Sequence, residues 1–104
     1  MPRFRVILDE EAERNVTAIY DWIAERSSDG ATSWYVAFTR KLDALSSEAE
    51  RFPVAPESQR FEKVVRNATF RTRRGRTYRV LFTIDRDDVH VLFVRGPGQD
   101  LAKP

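Results

Sequence analysis

Arg71, Arg73, Arg74, Arg76, Arg79 and Arg95 are the residues of this chain whose type and spacing best suit chemistry. A guanidinium keeps its charge at physiological pH and offers a rigid fork of donors, so it holds phosphate or carboxylate oxygens but is a poor general base. Between residues 59 and 82 eight basic side chains stand against one acid, Glu62, a net +7 in a chain whose formal charge is only +2. The rest of the chain is therefore net negative. Such a concentration raises the local potential and attracts a nucleic-acid backbone or an acidic protein surface. The competing reading is a solvated sheet face whose arginine stems cover apolar surface. Taken as a site, the pattern predicts that the guanidinium groups gather in one cationic recess.

Proton transfer and metal chemistry have fewer means. Cleaving RNA through its 2′-hydroxyl takes a base, an acid and cations for the charged phosphorane, and only the cations are plentiful. His90 is the single histidine, with no second one at ligand spacing, so a structural or exposed role is expected and it is left out of the site. Asp85, Asp87 and Asp88 read as a hairpin turn rather than a cation site, and neither metal nor cofactor is expected. Gly96-Pro97-Gly98 lacks the lysine and hydroxyl residue that end a phosphate loop and reads as a stop signal. Without cysteine, disulfides, thiolate ligation and cysteine nucleophiles are excluded, which suits a reducing cytoplasm.

These residues need a scaffold, and 104 residues with 41% hydrophobic content give one domain, 1–104, with one core. Residues 1–11 lack the apolar length of a secretory signal, and no segment approaches membrane-spanning length. Phe4, Val6 and Leu8 alternate with Arg5 and Ile7 as a short strand, ended by Asp9, a good helix N-cap. Ala12, Val16, Ile19, Tyr20 and Ile23 then form a helical stripe. Ser27-Ser28-Asp29-Gly30 is expected to break it, and a second stripe, Trp34, Tyr35, Phe38, Leu42, Leu45, Ala49 and Phe52, runs from Ala31 to prolines at 53 and 56. A loop follows to about Arg60.

The remainder reads as strands. Residues 68–73 alternate weakly; Tyr78, Val80, Phe82 and Ile84 share one side of a half-buried strand against Arg79, Leu81 and Thr83, and residues 89–94 close a hairpin. Two short-linked helices pack antiparallel and need the sheet as cover, giving an α+β fold: an N-terminal strand and a two-helix hairpin on an antiparallel β-meander. An irregular tail is expected over about 96–104. Trp22 and Val36 lie just off their helical stripes and are candidate partner anchors, with a wide core face the favoured reading for Trp22.

A strand, a helical hairpin and a meander carrying Tyr78-Arg79-Val80-Leu81-Phe82-Thr83-Ile84-Asp85 and ending Val91-Leu92-Phe93-Val94-Arg95-Gly96 resemble the RelE/ParE superfamily of bacterial type II toxins. The resemblance covers nearly the whole chain and implies a toxin neutralised by a cognate antitoxin, for which the off-stripe Trp22 and Val36 are the candidate anchors, and a role such as plasmid stabilisation. It implies one of two activities: ParE-like inhibition of DNA gyrase by binding, or RelE-like cleavage of ribosome-bound mRNA. A degenerate toxin that only binds antitoxin is a third. In a nuclease, Arg79 matches the phosphate-binding arginine, with Arg71, Arg73 and Arg95 near other basic positions. The tail after Arg95 has neither the tyrosine nor the histidine such nucleases often carry, which ranks target binding ahead of cleavage and leaves enzymatic activity an open question.

Overall fold

The computed structural model describes residues 3–72 and 76–97. Its elements run β1 (Arg5–Leu8), α1 (Glu10–Ala24), α2 (Ser28–Glu48), β2 (Arg66–Arg71), β3 (Thr77–Asp85) and β4 (Asp88–Arg95), with short 3₁₀ turns at Ala49–Arg51 and Pro56–Arg60. The four strands form one sheet in the order β1-β4-β3-β2. The meander β2-β3-β4 is antiparallel as expected, and β1 joins it parallel to β4, so the sheet is mixed.

Both helices lie on one face of the sheet. Trp34 and Phe38 from α2 stack with ring centroids 5.3 Å apart and meet Phe70 of β2 and Tyr78 of β3 at 5.5–6.1 Å between neighbouring rings. Val80, Phe82, Val89, Val91 and Val94 complete this main core from the sheet side. Burying such aromatics dominates a small core; truncating one to alanine costs about 3–5 kcal/mol.

The expectation of a half-buried β3 is corrected. Leu81 and Thr83, on the face away from the helices, are buried as well. Residues 53–65 cross that face as a strap. Ala55 and Val65 of the strap join Leu81 and Leu92 in a second, smaller core, with Phe61 against Phe93 at 6.1 Å. The Ala55 amide donates to the Val65 carbonyl, the Asn67 amide to the Pro53 carbonyl, and the Thr83 hydroxyl to the Val64 carbonyl, tying the strap to itself and to the sheet.

Element ends also differ from the sequence reading. The expected break falls at residues 25–27, and Ser27 is also the N-cap of α2, accepting the Gly30 amide at 2.9 Å, so α2 starts three residues before Ala31. A Cβ at Gly30 would lie 3.2 Å from the Ser27 side chain, which makes glycine the residue that lets this cap close. α2 ends at Glu48, and Ala49 and Phe52 pack from the turn after it. β2 occupies 66–71 rather than 68–73, because Arg66 pairs with Phe82 and also bridges Val54 of the strap.

Candidate functional site

The register places Arg79 opposite Arg95 on β4 and opposite Thr69 on β2, two residues from Arg71. Arg71, Arg79 and Arg95 therefore share the strap-side face. A bulge makes this possible for Arg95: Leu81 pairs with Phe93 but Phe82 with Val91, so Leu92 is an extra residue and both Leu92 and Phe93 turn to the strap. Without it, strict alternation would send Arg95 to the helix side with Val89 and Val91.

Sharing a face does not bring the guanidinium groups together. Arg79 donates from both terminal nitrogens to Glu57 of the strap, at 2.6 and 2.7 Å, and from Nε to the Asn67 side-chain oxygen at 3.2 Å. Glu57 is fully buried and the Arg79 side chain is 23% exposed. A two-pronged carboxylate pair of this kind occupies the fork that would otherwise grip a phosphate. Arg95 bends instead over the part of β4 that β1 no longer covers. There Asn15 of α1 accepts both the Val94 amide, at 3.0 Å, and an Arg95 guanidinium proton, at 2.9 Å, while the Arg95 guanidinium sits 4.8 Å from the centre of the Phe93 ring. Arg71 is exposed at the end of β2. In place of the expected shared setting, Arg79, Arg95 and Arg71 thus have different surroundings, and none of them lines the three hollows described below. Arg73 and Arg74 lie outside the described residues.

Arg76 has a different setting, beside Trp22. Trp22 is 48% exposed, which corrects its placement in a wide core face. The Arg26 guanidinium lies 3.8 Å from the Trp22 ring centre and that of Arg76 lies 5.9 Å away, so two cations stand near the indole. Trp22, Arg76 and Tyr78 line two adjoining hollows. One, of about 300 Å³, reaches under the helical turn to Gly30 and Trp34; the other, of about 340 Å³, reaches Gly96 and Pro97. Burial holds the Tyr78 phenol above its ordinary pKa against the pull of Arg76, so it stays protonated at neutral pH. Val36 is 42% exposed on α2 but lines neither hollow.

His90 has a partner the sequence did not suggest. Its Nδ1 lies 3.0 Å from an Asp9 carboxylate oxygen, which explains why Asp9, at the N-cap of α1, makes no side-chain cap bond. Asp85 and Asp88 close the β3–β4 hairpin around Arg86 and Asp87, and Asp88 receives two bonds from Arg5 at 3.1 and 3.2 Å. Among the described residues no three His, Cys, Asp or Glu side chains cluster as a metal site. Glu57, Asn67 and Asn15 are the site residues that sequence reasoning missed. Their partners lie 22, 12 and 80 residues away, beyond any local periodicity.

A mixed sheet with a helical hairpin on one face and an arginine-centred strap on the other defines a toxin-like α+β scaffold. Residues 6–101 match the family described as the ParE toxin of the type II toxin-antitoxin system parDE, and the chain belongs to that family. No curated protein matches it closely enough to count as a relative. Membership makes it a toxin of a toxin-antitoxin pair and implies an antitoxin partner. Among the described residues no helix is long and apolar enough to cross a membrane.

Proposed function

We propose that this toxin acts by binding a macromolecular target such as DNA gyrase, without chemical turnover, and that its antitoxin docks on Trp22. The observation that carries the first part is the Arg79–Glu57 pair. The residue that a nuclease of this scaffold would use to steady a phosphate has its fork filled by a buried carboxylate under the strap. Among the described residues the candidate proton-transfer groups do not meet Arg79: the Tyr78 side chain packs into the helix-side core on the opposite face of β3, and His90 is paired with Asp9. Open to solvent is a basic, aromatic surface, with Arg71 and Arg76 exposed and Trp22 near the guanidinium groups of Arg26 and Arg76. That surface suits an acidic protein partner.

The deciding experiment adds purified toxin to a gyrase supercoiling reaction and, separately, to translating ribosomes with mRNA. Loss of supercoiling with intact mRNA supports the proposal. Ribosome-dependent mRNA cleavage that Arg79→Lys removes while the fold persists would overturn it in favour of the RelE-like reading. No growth arrest on expression, with antitoxin still bound, would assign the chain to the degenerate class. For the antitoxin, Trp22→Ala is expected to weaken binding by about 2 kcal/mol or more, the scale of an aromatic anchor. Val36→Ala is expected to cost less, since Val36 lines neither hollow; calorimetry against the cognate antitoxin measures both.

A further inference from the structure

The outer seam of the helical hairpin holds a groove of about 620 Å³ that no basic residue lines. Its floor is apolar, from Val16, Phe38 and Leu42, and one end is closed by Tyr20 and Tyr35, edge to face at 6.2 Å and both exposed. Glu13 and Asp21 line its α1 side. Both are exposed, and neither has an ion-pair partner among the described residues, whereas Glu10 and Glu11 are both taken by Arg14. The surroundings reinforce the sign: residues 9–50 carry ten acids and four bases, a net −6, while residues 51–97 carry eleven bases and five acids, a net +6.

We propose that this groove docks a cationic amphipathic helix of a protein partner. The seam between two antiparallel helices offers a long apolar trough of the kind that takes a helix by its apolar stripe. Glu13 and Asp21 stand eight residues apart on α1, about 12 Å at 1.5 Å per residue. A helix lying along the seam meets both with lysines or arginines seven or eight positions apart. The acidic rim repels a phosphate backbone, which excludes nucleic acid. A second copy of this chain fits poorly, because its own two helices are the acidic part of the molecule and its cations sit on strands and strap. The groove shares no lining residue with the hollows at Trp22 and Arg76, so the proposal does not depend on the gyrase or antitoxin reading.

The test uses the full chain, isotope-labelled for NMR, and two synthetic helical peptides with the same leucine stripe, one with lysines at positions i and i+7 and one with glutamates there. The lysine peptide is expected to move amide signals within residues 13–21 and 35–42 and to bind more weakly, by roughly tenfold, to Glu13→Lys/Asp21→Lys. That exposed double variant is expected to prefer the glutamate peptide instead. Equal binding of both peptides, or affinity unmoved by the charge reversal, would overturn the proposal. So would sedimentation showing a dimer of the wild-type chain that the double variant abolishes, since the groove would then belong to a second copy.

Discussion

A guanidinium whose two terminal nitrogens already grip a buried carboxylate is a structural cation, and removing either partner takes a two-pronged, charge-assisted contact from the other. Arg79→Ala and Glu57→Ala are each expected to cost about 3–5 kcal/mol, with the double variant costing clearly less than the sum. Urea unfolding of the four-member cycle measures the coupling. A coupling near zero would mean that the pair does not hold the strap down. Arg79 itself was legible from the Tyr-Arg-Val-Leu-Phe strand, but its occupation was not, because Glu57 sits in a Pro-flanked stretch with no periodic pattern to point at β3. Arg86 is the opposite case, a local strain visible in one angle. It holds a φ of 57° in the two-residue β3–β4 turn, a left-handed conformation that costs an L-residue about 1–2 kcal/mol. Arg86→Gly is expected to leave stability unchanged or raise it by up to about 1 kcal/mol, read from the denaturation midpoint.

At the scale of elements, hydrophobic alternation reached its limit where two layers meet the same strand. The alternation of β3 correctly sorted Tyr78, Val80 and Phe82 from Arg79, Leu81 and Thr83, but it could not say that the second set would also be covered, because the strap that covers it is irregular. The bulge at Leu92 likewise breaks the period of two on which any reading of Arg95 depends. The helices were legible in type and so was the break between them, but residues 28–30 belong to α2, which Ser27 caps. β1 is held to β4 by its ladder and, at the outer end, by Arg5 on Asp88. The Arg5 hydrogen bonds, and then its charge, hold the Asp88 carboxyl below its usual value, with a smaller pull from His90; hydrogen bonds from Arg14 and Asn15 do the same for Glu11. A depressed folded pKa contributes stability above the unfolded carboxylate value of about 4, and that contribution is lost as pH falls through the folded value. Asp88→Asn is therefore expected to lower stability modestly between pH 6 and 8, where the pair is formed, and to approach the parent below about pH 4, so that its acid limb is flatter. Urea midpoints across that range check it, and an unchanged acid limb would refute the role given to the pair.

For the whole molecule, the separation of a net −6 hairpin from a net +6 strap and sheet sets how partners approach. An acidic antitoxin arriving at the Trp22 end is steered by this field, so its association rate is expected to fall as salt rises past the physiological Debye length of about 8 Å, with dissociation changing less. Stopped-flow binding at two ionic strengths measures this. Antitoxin at a hundredfold excess over its Kd is also expected to add about 2.7 kcal/mol to the toxin's stability, a rise in melting temperature of roughly 10–20 °C by scanning calorimetry.

The parallel pairing of β1 with β4 has a consequence for how the chain is made. β4 is synthesised after every other element, yet it lies between β1 and β3, so the nascent polypeptide has no continuous sheet until residues 88–95 have been translated. Contacts that join residue 5 to residue 88 are slow to form and late to appear. Messages cut short before that point yield fragments without the assembled surface, so no poison can act before β4 itself has been read.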